Sequence, residues 1–139
     1  VSDLLTDGIP DFLTRLRVAN LARTSTRPGE DIDVLTPAEW AVNLAGEVGE
    51  ALNVLKKMRR IQPWSFFSRT SPRHMMGQMA YASEQEYARL FDHFADELAD
   101  AMICVDLLGA SMGLDLATIV ARKFNKTSEK WNSPVRLQP

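Results

Sequence analysis

The sequence predicts an all-α protein, and three observations carry that prediction. Apolar residues recur at three- and four-residue spacing over long stretches, apolar/polar alternation is nearly absent, and two helix-start signatures precede the longest stripes. Taken in order, the segments read as about four helices in one domain spanning residues 1–139.

A first helix is expected from Pro10 to Arg23, with Phe12, Leu13, Leu16 and Leu21 as its apolar face. The polar stretch Thr24 to Asp33 follows, and its Pro28-Gly29 breaks helices. Thr36-Pro37-Ala38-Glu39 then supplies an N-cap hydroxyl, a proline at the first helical position and a glutamate at the third. Behind it Trp40, Leu44, Val48, Ala51, Leu55 and Met58 form one stripe. Lys56-Lys57-Met58-Arg59-Arg60 closes the helix with cations suited to its negative end.

Ile61 to Ala82 reads as a loop or broken helix, interrupted by Pro63, Pro72 and Gly77. Loops of that length inside a compact domain are functional or disordered, so a lid is one expectation. Ser83-Glu84-Gln85-Glu86 is a second capping box, expected to open the third helix. Leu90, Phe94, Leu98, Ala101, Val105, Leu108 and Met112 are its predicted stripe, and Gly113 its left-handed cap. Asp115 caps a fourth helix running to about Lys130, and Asn132 to Pro139 is an irregular tail.

Composition narrows the function classes. Apolar residues are 45% and charged residues 24%, a globular balance. A net charge of −2 offers no positive field for nucleic acid. No apolar run approaches the ~20 residues that span a bilayer, and Val1-Ser2-Asp3-Leu4 lacks a signal-peptide layout. Cys104 is the only cysteine, so no internal disulfide forms and the cytoplasm is the expected location. Neither a Walker A loop nor a dinucleotide-binding glycine fingerprint is present.

Two acidic pairs carry the chemical signal: Glu47 with Glu50 on the second helix, and Glu97 with Asp100 on the third. Spacing of i, i+3 places each pair on one helix face, yet 18 acids in the chain make roughly two such pairs expected by chance. Position says more than spacing. Glu47 and Glu50 neighbour Leu44, Ala51 and Val54, while Glu97 and Asp100 neighbour Phe94, Ala101, Ile103 and Cys104. Each pair therefore borders the stripe that packs its helix. If the two helices pack antiparallel, four carboxylates converge, and clustered like charges need a cation. Oxygen ligands suit Mg²⁺, with Mn²⁺ an alternative. Against this stands the ordinary fate of such residues, solvation at a helix boundary. Asp96, in line with Asp92 and Asp100, is a rival ligand.

Leu44-Ala45-Gly46-Glu47-Val48-Gly49-Glu50-Ala51 resembles the Glu-x-x-Glu helix of the MazG-like nucleotide pyrophosphohydrolases, an all-α superfamily. Glu97-Leu98-Ala99-Asp100-Ala101-Met102 is similar to their Glu-x-x-Asp helix, and Leu107 to Leu116 to their helix end and turn. Lys123-Phe124-Asn125-Lys126 looks like the segment that supplies a phosphate-binding lysine and asparagine. The resemblance implies a helical bundle completed by homodimer or homotetramer formation. It implies a Mg²⁺-dependent enzyme cleaving a nucleoside triphosphate, (d)NTP, to the monophosphate and pyrophosphate, in nucleotide-pool housekeeping. Glu47, Glu50, Glu97 and Asp100 would hold metal, Glu47 or Glu50 would act as general base, and Lys123 and Asn125 would meet the nucleotide. The stretch between Glu50 and Glu97 is longer than the family usually carries, and Gly46 stands where many relatives have another acid.

Other features have bland alternatives. Trp64, Phe66 and Phe67 with Arg69, Arg73 and His74 suit a nucleotide, or a loop docked on the protein or a partner. Asn20 and Arg23, one turn apart, suit a nucleotide or a plain surface pair, and the residues alone favour Lys123 as a surface cation and Asn125 as a solvated helix residue. His74 and His93 are too few for a histidine-rich metal site, and Cys104 reads as a buried small hydrophobe. The rival to the enzyme is a helical oligomerisation or adaptor module with solvated acids.

Overall fold

Helix-compatible periodicity and strong end signals produce the elements seen in the computed structural model, which describes residues 9–29, 31–61 and 81–138. Among these lie four helices and no strand: α1 (Ile9–Thr24), α2 (Pro37–Ile61), α3 (Tyr81–Ser111) and α4 (Leu116–Lys130). The segment 62–80, with its aromatic and basic residues, falls outside the described residues. No single helix is long and apolar enough to cross a membrane.

The helix ends follow local chemistry. Glu39 Oε2 accepts from the Thr36 backbone N–H at 2.8 Å and the Glu39 N–H donates to Thr36 Oγ1 at 3.3 Å, the reciprocal box expected at the start of α2. α3 ends on Gly113 at φ 67°, where Leu114 N–H donates to Gly109 O and Gly113 N–H to Ala110 O, a Schellman closure. Asp115 Oδ1 accepts from the Ala117 and Thr118 N–H groups and starts α4. Asn132 takes the left-handed position at φ 50° after α4, with Ser133 N–H returning to Ser128 O.

One expected start is corrected. α3 is already helical at Tyr81, so Ser83 lies within the helix and does not open it, and the expected loop does not extend to Ala82. Glu86, the acid of the supposed box, instead grips Arg89 with two bonds of 2.7 and 2.8 Å. A bidentate partner one turn ahead outcompetes a backbone cap.

Backbone packing divides the chain into two units, Val1–Asn43 with Ile103–Pro139, and Leu44–Met102. In the first, α1 packs on α4. The α1 face expected is met in part: Leu13 and Leu16 are half-buried, but Phe12 is 48% exposed and Leu21 36%, and the buried residues are Asn20 and Thr24. The reason is Asp106, buried within α3. It accepts from Arg17 Nε at 2.9 Å and from Asn20 Nδ2 at 3.0 Å, so α1 turns its polar side inward. Arg17 also donates to the carbonyls of Asp106 and Leu114. Gly109 lets this happen: a Cβ there would stand 3.1 Å from Leu116 Cγ and 3.3 Å from the Arg17 guanidinium.

In the second unit Val54 and Met58 of α2 meet Tyr87 and Leu90 of α3, with Leu55, Ile61 and Phe94 packed against them. Burial along α2 runs through Trp40, Leu44, Glu47, Ala51, Val54 and Met58, in steps of four and three. Along α3 it runs through Tyr87, Leu90, Phe94, Glu97, Ala101 and Cys104, the same seven-residue repeat. The expected stripes are corrected at Val48, Leu98, Val105 and Met112, all exposed. Each seam carries an acid where the apolar pattern had pointed to the neighbouring residue.

Candidate metal centre

Two seam positions built for apolar side chains hold Glu47 on α2 and Glu97 on α3. Met58 lies with Tyr87 and Leu90, and Glu47 with Glu97 and Asp100, so chain order reverses between the two helices and they run antiparallel here. One carboxylate oxygen each from Glu47, Glu97 and Asp100 lies within 4.8 Å of the other two. Glu97 is 8% exposed, Glu47 half-buried and Asp100 exposed, so the group opens to solvent on one side.

Its electrostatics follow from this placement. Burial first, then the charges of Asp100, Glu50 and Glu97, holds the Glu47 carboxyl above the usual carboxylate range. Every charge that shifts Glu47 is that of another acid. The donor set is carboxylate oxygen alone, a chemistry that would suit Mg²⁺ or Mn²⁺.

Gly46 and Gly49 flank Glu47, and a Cβ added at either would meet nothing within 4 Å. Glycine inside a helix costs about 1 kcal/mol relative to alanine. Packing within this chain does not repay that cost; the two positions leave the α2 backbone bare beside the acid.

The four predicted metal residues thus divide. Glu47, Glu97 and Asp100 come together, while Glu50 is exposed and stands outside the group, near enough to act on Glu47 through its charge. Asp96, the rival ligand, is exposed and also outside it. The predicted nucleotide residues all lie in the first unit. Lys123 is exposed on α4. Asn125 closes a two-bond clasp on the tail, donating to Leu137 O at 2.8 Å and accepting from Leu137 N–H at 2.7 Å. Asn20 is engaged by Asp106, and its Oδ1 accepts from the exposed Arg23 at 3.3 Å.

Two arrangements went unread in the sequence. His93 Nε2 lies 2.8 Å from Glu97 Oε1, one turn before it on α3. Its signal was the i, i+4 spacing, overlooked because histidine was weighed only as a direct ligand. Arg17 and Asp106 were not singled out either. An aspartate inside Ile103-Cys104-Val105-Asp106-Leu107-Leu108 had to find a buried partner, and that was its signal. The first unit also has an open cleft of about 450 Å³ beside this pair, lined by Leu13, Val18, Leu114 and Leu116 among others.

No family model, curated protein or solved structure matches the chain.

Proposed function

We propose that the protein is a Mg²⁺-dependent nucleoside triphosphate pyrophosphohydrolase of the MazG-like helical type, producing a nucleoside monophosphate and pyrophosphate. One observation carries the reading: Glu47 and Glu97 occupy seam positions on two antiparallel helices and meet the exposed Asp100 within 4.8 Å. A solvated surface pair would not sit where the heptad calls for apolar side chains, and mutual repulsion there calls for a cation.

Glu47, Glu97 and Asp100 would hold the metal, and a bound divalent ion neutralises triphosphate charge and acidifies an attacking water. The water oxygen bonds to the α-phosphorus, the bond from that phosphorus to the α–β bridging oxygen breaks, and pyrophosphate leaves with the electron pair. Glu50, outside the cluster and open to solvent, suits the proton-accepting role better than Glu47. The family resemblance assigns phosphate charge to Lys123, a role that stands apart from the geometry of the cluster. Asn125, to which the resemblance assigns a nucleotide contact, has its amide engaged by Leu137. Exposed Val48, Leu52, Leu98, Met102 and Val105 support a homodimer or homotetramer, and a cytoplasmic housekeeping role on the (d)NTP pool follows from the activity.

The same exposed apolar side chains favour a second reading, a helical adaptor without catalysis. Product analysis separates the two. The purified protein is incubated with each common NTP and dNTP, with Mg²⁺ or with EDTA. Metal-dependent monophosphate plus pyrophosphate is the expected result. Orthophosphate and diphosphate, or no turnover of any nucleotide, would overturn it.

A further inference from the structure

A second apolar row runs beside the buried seam of each helix. On α2, Ala45, Val48, Leu52 and Leu55 each follow a seam residue by one position. On α3, Phe91, Ala95, Leu98 and Met102 do the same, so both rows keep the seven-residue repeat. One position is ~100° of helix, and because α2 and α3 run antiparallel here, both rows turn to the same side of the pair. Val48, Leu52, Phe91, Leu98 and Met102 stand 41% to 54% exposed there, a continuous apolar face of the kind that marks a contact surface.

We infer that this face is covered by the same face of a second copy, about a two-fold axis parallel to the helices, so that each α2 lies on the partner's α3. The inference rests on the homodimer of the proposed function, and on neither the acidic cluster nor the reaction. Size and charge argue for it. The alignment that sets Met58 beside Leu90, and Glu47 beside Glu97 and Asp100, puts Ala45 level with Met102, Leu52 with Ala95, and Lys56 with Asp92. Rotation about that axis keeps these levels and lays each helix on the other. Ala45 then meets the partner's Met102, and Leu52 the partner's Ala95, small against large in both layers. Lys56 and Asp92, exposed on opposite outer edges of the pair, each gain an opposite charge across the rim, twice over by symmetry. An axis perpendicular to the helices would lay α2 on the partner's α2 and carry Lys56 away from the partner's Asp92. A face that complements itself under rotation fits a second copy better than a lipid surface or an unrelated protein.

The test is sedimentation equilibrium on wild type, L98D, K56D, D92K and the double variant K56D/D92K, with circular dichroism to verify the fold. Wild type is expected to be a dimer. L98D, altered at a side chain exposed in the single chain, is expected to be a folded monomer. K56D and D92K each set like charges together at both rims and are expected to dimerise about 10-fold more weakly. The double variant, with its charges exchanged, is expected to recover most of that loss. A monomeric wild type would overturn the inference, as would a dimer that keeps its affinity in L98D or one that the double variant does not rescue. Hydrolysis of a (d)NTP by a monomer would overturn the inference and leave the proposed activity standing. A dimer that shows the charge rescue and hydrolyses no nucleotide would support the inference and overturn the activity.

Discussion

Glu47→Gln removes one charge from the seam while keeping the size of the side chain. Two unit charges 4.8 Å apart, the outer bound for this group, repel by about 0.9 kcal/mol at the dielectric of water and about 3.5 kcal/mol at an effective value near 20. Glu47 is half-buried and Asp100 exposed, which places their pair toward the lower figure, whereas the buried Glu97 pushes its own pair upward. Relief of both pairs stabilises the metal-free protein by about 2 kcal/mol, and its melting temperature rises by about 5 °C. On the proposed function Glu47 would be a metal ligand, so the rise in melting temperature expected of wild type with Mg²⁺ or Mn²⁺ should shrink or disappear in the variant. Thermal unfolding followed by circular dichroism across a metal titration reads both effects. A variant that is less stable than wild type without metal, or that retains the whole metal-dependent rise, would refute the reasoning.

The raised pKa of Glu47 means that the folded, metal-free chain holds that proton more tightly than the unfolded chain. Wild type measured against Glu47→Gln should therefore gain stability as pH falls through the window just above the ordinary carboxylate range, and urea unfolding at stepped pH checks this. The comparison cancels Glu39, Glu86 and Asp115, whose lowered pKa values act in the opposite direction. Asp106→Ala strips Arg17 and Asn20 of a buried partner and should cost about 3 kcal/mol in urea unfolding; a loss below about 1 kcal/mol would show that water replaces the carboxylate. Gly46→Ala adds a methyl group into open space and should raise stability by about 1 kcal/mol. If that face admits substrate, KM rises in the same variant while kcat holds; an unchanged KM would remove the α2 backbone from the binding surface.

The helices were legible wherever a side chain talks to its own backbone. Thr36 with Glu39, Gly113 and Asp115 act within one turn, so their residue types announce their geometry. Which side of each helix would be buried was less legible. Choosing apolar residues picked Val48 over Glu47 and Leu98 over Glu97, sliding each stripe by one position at the place where an acid takes the seam. The acids themselves were identifiable because they stood beside the stripe; that Glu50 would fall outside the group depends on the rotation of α2, which residue types do not encode. Asp106 and Arg17 are separated by 89 residues, and no local pattern joins them. Asn125 similarly serves the tail through Leu137, a partner whose side chain plays no part in the bond.

An acid in each of two facing seams also decides how the strips of side chains line up along one another. A heptad repeat is indifferent to a slide of seven residues, because one apolar layer is much like the next. Moving α3 by one repeat past α2 would set Glu47 against the layer of Leu90 and leave Glu97 to face apolar side chains alone. That slide strands both acids against apolar side chains, whereas the observed alignment lets them share one solvent-facing opening. The acids that repel one another across the seam thus also make its alignment unique.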